Sequence, residues 1–365
     1  MKKLFVAIFA LVAGLGVFAQ EALAQEAQQP QKATSADYGY KQTGFMSTPK
    51  LGGYIIGYYK YSDQAGANGG PGFGSRLIRA YVDGTILNDF KYRLQVQLAS
   101  GTPHVKDYFI EWAKYKEFSV KMGQFKRAFT FENPMNPWDV GVGDFSFLVK
   151  KFAGMGDRLG EANMGGRDQG IQFQGDLIPM ADDQYRLLHY QIGLWNGQGI
   201  NAVDANKDKD IIATLQVQPI KGLYIGAFGW KGSWVNPTSG VEFARRRVSG
   251  GVKFDRDNWT VRAEYAAAVF GEKAKIIDDN PNYRGADALY VTVGVPLYDW
   301  LKVYVKWDEF RAGATAATSH DMYSCALNFR LHKNLNFQLE YRRNENQMLA
   351  TPGYNEIWLQ TYVRW

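Results

Sequence analysis

The chain has 365 residues, 46% of them hydrophobic, 15% aromatic and 21% charged, with a formal net charge of +6. That charge is too mild, and too free of polybasic runs, for a nucleic-acid binder. The single cysteine, Cys325, excludes an intramolecular disulfide framework and reads as filler within a strand.

In chain order, residues 1–24 predict an export signal. Lys2 and Lys3 precede an apolar run from Leu4 to Phe18, and Ala22-Leu23-Ala24 supplies a small-x-small cleavage site. Cleavage would remove Lys2, Lys3 and Glu21 and leave a charge of +5. Residues 25–50, rich in Gln, Ala, Ser and Thr, predict a flexible periplasmic lead-in. Beyond residue 24 no apolar run approaches the ~18 residues of a spanning helix, and mean hydropathy is −0.33. A β-barrel escapes both tests, because its outward apolar residues alternate with polar ones.

From residue 51 to 365 the pattern changes to period two. Strands are expected near Gly53–Tyr61, Ser75–Ile86, Phe90–Ser100, His104–Tyr115, Phe118–Phe129, Arg167–Leu177, Tyr185–Asn196 and Asp210–Pro219. They continue near Leu223–Trp234, Arg245–Asp255, Trp259–Gly271, Ala286–Leu297, Leu301–Arg311, Ser319–Leu331, Leu335–Asn346 and Tyr354–Trp365. Short connections such as Leu87-Asn88-Asp89, Arg256-Asp257-Asn258 and His332-Lys333-Asn334 alternate with long ones, only Gly101-Thr102-Pro103 breaking the order. A soluble sandwich has no reason to sort its loops by parity, whereas an outer-membrane barrel keeps short turns on the periplasmic side and long loops outside.

The faces separate as well. Leu301, Val303, Val305 and Trp307 oppose Lys302, Tyr304, Lys306 and Asp308. In the last strand Ile357, Leu359, Thr361, Val363 and Trp365 oppose Glu356, Trp358, Gln360, Tyr362 and Arg364. That strand alone also fits the edge of a soluble sandwich. Two segments, near Phe125 and Tyr224, sort poorly, and bulges are expected there. The fold class expected is an all-β, transmembrane, antiparallel up-and-down barrel of about sixteen strands, with a long third loop (residues 130–166) folded into the pore.

Four segments resemble the phosphate-selective porin O and P family: SRLIRAYVDGTILNDFKYRLQVQLA (Ser75–Ala99), GQFKRAFTFENP (Gly123–Pro134), RDQGIQFQG (Arg167–Gly175) and YQIGLWNGQGIN (Tyr190–Asn201). The resemblance runs from about Gly53 to Trp365. It implies a trimeric sixteen-stranded porin whose third loop constricts a channel lined by basic side chains that pass phosphate or polyphosphate.

Strand parity directs Arg79, Lys91, Arg93, Lys121, Arg245, Arg247, Lys253, Arg262, Lys302, Lys306, Arg330, Arg342 and Arg364 into the lumen. It opposes them with Asp83, Glu111, Asp255, Glu264, Asp308, Glu340 and Glu356, so bases exceed acids. The loop adds Lys150, Lys151 and Arg158. The preferred anion-binding residues are Arg79, Arg93, Lys121, Arg247, Lys150, Lys151 and Arg158; the competing role for each is in ion-pair ladders that solvate the wall. Part of Arg245-Arg246-Arg247 is expected to face lipopolysaccharide phosphates.

Other constellations carry less. Asp204, Asn206, Asp208 and Asp210 alternate like a calcium loop, but Lys209 and Leu215 stand where glycine and glutamate belong. The glycines between Gly66 and Gly74 do not join a strand to a helix, so they make no phosphate cradle. His104, His189, His320 and His332 are scattered, with no serine nucleophile or second ligand beside them. No catalytic residue, metal or cofactor is expected. The reading is therefore an outer-membrane porin for small anions, homotrimeric and embedded among lipid and lipopolysaccharide. The alternatives are a general porin with little ion preference and a non-channel barrel.

Overall fold

The computed structural model describes residues 47–66, 70–99, 101–153, 165–272 and 285–365. The expected export signal, most of the lead-in and Arg158 lie outside these residues. The strands are β1 (Lys50–Ser62), β2 (Gly72–Ile86), β3 (Phe90–Gln97), β4 (His104–Trp112), β5 (Ser119–Lys126) and β6 (Arg167–Met180). Then come β7 (Tyr185–Trp195), β8 (Asp210–Ile220), β9 (Leu223–Val235), β10 (Glu242–Arg256) and β11 (Trp259–Glu272). The last five are β12 (Ala286–Tyr298), β13 (Leu301–Arg311), β14 (Ser319–His332), β15 (Leu335–Asn346) and β16 (Gly353–Arg364). Each pairs antiparallel with its sequence neighbours, and β16 pairs with β1, so the sheet closes into a sixteen-stranded up-and-down barrel.

The alternation in the sequence is what sorts the two faces. Val305, Leu339 and Leu359 are exposed, while their chain neighbours Lys306, Glu340 and Gln360 are buried on the inside. Exposed aromatics border the apolar outer face: Trp259, Tyr298 and Trp300 near the short turns, Tyr265, Trp307, Tyr323 and Tyr341 toward the long connections. Beyond the second group the outer face turns polar, with Arg311 on Asp287, Arg343 on Glu345 and Asn355 on Asp63. Along β13 the apolar stretch from Trp300 to Glu309 rises roughly 20–25 Å at ordinary strand rise and tilt, close to the ~25 Å of a barrel's lipid-facing band. Closure leaves no unpaired edge, which is what allows strands to sit in hydrocarbon. Among the described residues no helix is long and apolar enough to cross a membrane.

Short turns fall where expected. Asp257 and Asn258 both adopt positive φ (52° and 64°), as a two-residue hairpin requires. At the seam Gly53 and Trp365 exchange backbone hydrogen bonds of 3.3 and 3.1 Å. A Cβ at Gly53 would lie 2.3 Å from the Trp365 ring, so only glycine leaves room for the indole.

The two bulge expectations have different outcomes. The β8–β9 register shifts between Val217 and Ile220, opposite Leu223 and Ile225, next to Tyr224 as expected. Near Phe125 the pairing of β5 with β4 and β6 runs without a shift. There the alternation is broken by Gly123 at φ 130°, where a Cβ would meet the Tyr108 carbonyl at 2.2 Å. The nearby bulge sits instead in the β3–β4 pairing, between Gln95 and Val96.

The connection from β5 to β6 carries a short helix, α1 (Phe147–Phe152), capped by the Ser146 hydroxyl accepting from the Val149 amide at 3.3 Å. Its apolar residues, including Phe129, Phe131, Val142, Phe145 and Phe152, join a cluster with Phe228, Trp230, Tyr290, Tyr304 and Phe310 of the inner wall. Ala266, Ala268, Ala286 and Ala288 are almost wholly buried in the same cluster, small enough to admit α1 against β11 and β12. Each large side chain buried there contributes about 1.5–3 kcal/mol.

Candidate functional site

The interior surface is the candidate site, and it holds two unlike regions. On the β2–β6 side the shift opposite Gln95 and Val96 places consecutive residues Lys106 and Asp107 both in buried positions. Asp107 is taken by Arg167 through two bonds, Nε–Oδ1 2.6 Å and Nη2–Oδ2 3.0 Å. Arg79 donates to Gln97 at 2.7 Å and to the Tyr54 hydroxyl at 2.6 Å. Among the described residues Lys106, Lys126, Arg79 and Arg167 lie within electrostatic range of one another around Asp107. Arg127 is buried next to them, with Asp168 at 3.5 Å and its guanidinium 4.6 Å from the Trp230 ring centroid.

On the β11–β15 side the acids meet the backbone of the β5–β6 connection. Glu264 accepts from the Phe131 amide (3.1 and 3.2 Å), Glu340 from the Gly143 amide (2.7 Å) and Asp308 from the Phe147 amide (3.0 and 3.1 Å). Carbonyls of the same segment accept from the wall: Val140 from Arg262 at 3.1 Å, Gly141 from Gln338 at 2.8 Å and Asn328 at 3.0 Å, and Gly143 from Arg76. Lys306, fully buried, stands 3.2 Å from Asp308 and 3.9 Å from Glu132.

The preferred residues separate under this geometry. Arg79 belongs to the basic region. Arg93 is held by Asp83 through two 2.7 Å bonds, half-exposed on the wall. Lys121 pairs with Glu111 at 3.2 Å over the rings of Phe109 and Phe125. Arg247 is buried, stacked 4.4 Å over Trp230 and donating to the Phe152 carbonyl, so it anchors the connection. Lys150 pairs with Asp144 at 2.7 Å, and Lys151 lies over Phe310 at 5.3 Å. The Asp144 carboxyl is held well below the usual carboxylate range: burial alone would raise it, but Lys150 and Arg76 outweigh burial. In the triple arginine run, Arg245 and Arg247 are buried and Arg246 is exposed between them. Arg245 is bound to Asp210 at 2.9 Å.

Sequence reasoning missed Lys106, Lys126, Arg127 and Arg167. Strict alternation counted back from Glu111 sends Lys106 outward, and nothing in the local sequence marks the bulge. Asp210, one of the alternating acids of the calcium-like run, is 1% exposed and accepts from Arg245, Trp230 and the Ser233 amide. Among the described residues no group of acids, histidines or cysteines is placed to hold a metal ion.

No protein-family model matches this chain, and no curated protein matches it by sequence. Solved structures do. The anion-selective porin from Comamonas acidovorans matches with a TM-score of 0.65 at 12% identity, covering 88% of this chain and 100% of that one. The outer membrane channel DcaP of Acinetobacter baumannii matches at 0.61 and 12% identity, covering 90% and 99%. OmpT of Vibrio cholerae, an outer membrane protein in a trimer form, matches at 0.60 and 15% identity, covering 87% and 99%. At such identities the likeness is one of fold: this chain has the barrel architecture of outer-membrane porins.

Proposed function

We propose that this protein is an outer-membrane porin through which small anions, phosphate-like ones included, diffuse passively. The observation that carries the reading is the unequal use of interior charge. Three of the seven acids assigned to the lumen, Glu264, Asp308 and Glu340, are engaged by loop amides, while among the described residues Lys106, Lys126, Arg79 and Arg167 gather around Asp107 on the opposite side. A surplus of base in a narrow, water-filled passage raises local anion concentration and lowers the barrier to anions. The 127–153 segment, bonded to inward side chains from β2 to β15, is the constriction in this reading. Arg246, outward beside the polar rim, is the candidate contact for lipopolysaccharide phosphates. Membership of a homotrimer, export by residues 1–24 and residence in the outer membrane complete the proposal, and no catalysis is assigned.

A general porin with little ion preference is the second reading. It is favoured by the neutralised wall pairs Arg93–Asp83, Lys121–Glu111 and Arg342–Glu340. Reversal potential in a planar bilayer under a salt gradient separates the two. A potential of the sign set by anion flux is expected. A value near zero gives the second reading, and a cation preference overturns the first.

A further inference from the structure

We propose that the inner wall at the short-turn end holds a separate binding site, one that takes a neutral polyhydroxylated ring of monosaccharide size. The site stands beside the anion reading and does not draw on it. A cavity of about 190 Å³ lies between Trp138 and Asp139 of the β5–β6 connection and the inward side chains of β11, β13, β14 and β15. Asn258 and Asp299 of the short turns close its end, on the side of the barrel away from Asp107. Such a volume holds roughly six waters at ~30 Å³ each, the space of one small ring rather than of a drug-sized molecule.

Strand register builds the pocket. Lys302 on β13 pairs with Asn328 on β14, and Arg330 on β14 pairs with Asn336 on β15. On β12 a Cβ at Gly294 would stand 2.8 Å from Lys302 Cε and press on the Tyr304 ring, so glycine leaves the room. Lys302 therefore lies across β12, 4.8 Å from the Tyr304 ring centroid, and donates to the Thr260 hydroxyl of β11 at 2.9 Å. Arg262 is consumed by Asp255 and the Val140 carbonyl. Three other groups stay open to the cavity. Asn336 is 9% exposed, and its side-chain amide has no hydrogen-bond partner among the described residues. The exposed Arg330 guanidinium and the exposed Asp139 carboxylate likewise form no hydrogen bond or ion pair among them. A buried amide left unpaired is costly, so a solute that supplies its partner is favoured.

The mixture of groups selects the solute. Arg330 and Lys302 donate, Asp139 accepts, and Asn336 does both. A hydroxyl also donates and accepts, so a ring bearing several of them answers the whole set. Trp138, held edge-on to Tyr362 at 5.6 Å, supplies an indole for the C–H face of such a ring. An inorganic anion suits the lining less, because Asp139 and Asp299 repel it where Arg330 and Lys302 attract it.

The test is saturation-transfer NMR on the full chain in detergent, titrated with D-glucose, which reads occupancy without any ion flux. A signal that saturates in the millimolar range is expected, undisturbed by inorganic phosphate at constant ionic strength. Asn336→Ala is expected to weaken binding roughly fivefold, the loss of one ordinary hydrogen bond. Should that variant not fold, Arg330→Gln, at an exposed side chain, is expected to do the same. Absence of a saturable signal, displacement of glucose by phosphate, or undiminished affinity in a folded variant would overturn the inference.

Discussion

The β2–β6 wall and the β11–β15 wall face the same interior and use charge in opposite ways. On the first, Arg79 and Arg167 meet side chains, and among the described residues they gather with Lys106 and Lys126 around Asp107. On the second, wall acids meet main-chain amides of the β5–β6 connection, so their charge is committed to holding a loop. A count of lumen charges therefore misjudges the passage. What matters is which charges remain directed at a solute.

The largest effect should come from breaking the acid wall at its fully buried ammonium, Lys306. Lys306→Met leaves Asp308 and Glu132 without their ammonium and is expected to destabilise the barrel by about 3 kcal/mol. Thermal unfolding followed by gel mobility in detergent measures this, and an unshifted transition would mean that the cluster is already neutral. The basic wall is tested by Lys106→Gln, expected to lower the anion-to-cation permeability ratio about threefold in ~0.1 M salt and less in ~1 M, where screening is short-ranged. Removing Arg93 and Asp83 together should leave that ratio unchanged, since the pair already cancels. An equal drop in both variants would erase the distinction between the walls.

The smallest effect concerns the contact that joins the segment to β2, where Asp144 meets Arg76 at 3.1 Å. Its carboxyl is depressed in the folded protein, so its contribution is complete above the unfolded carboxylate range and is lost only as pH falls through the lowered value. Asp144→Asn should cost roughly 0.5 kcal/mol at neutral pH, because the Asp144 side chain is a third exposed. The same cost should persist near pH 5, above the range in which this carboxyl takes up a proton. Unfolding curves at the two pH values supply the comparison.

Much of the fold was legible because a barrel strand repeats a two-residue rule and its turns carry their own chemistry. The outward Leu359 and inward Gln360 follow from alternation alone, and the Asp257-Asn258 turn from residues that tolerate positive φ. The site was less legible for two physical reasons. One extra residue in β4 moves Lys106 across the sheet without any mark in the side-chain pattern. The partners of Glu264, Asp308 and Glu340 are backbone amides, which every residue but proline possesses, so no motif announces them. Alternation places Arg247 and Lys121 on the inward face, but their partners Trp230, Phe152 and Glu111 lie apart from them in sequence.

The seam carries a consequence for biogenesis. The indole of residue 365 docks beside the notch left by glycine at 53, so the seam joins the two strands that stand at opposite ends of the strand order. A nascent chain that still lacks β16 would carry two raw sheet borders, a species suited to capture by chaperones or to clumping. Sealing of the cylinder must therefore wait until β16 has been made, whatever the order in which its middle strands collect.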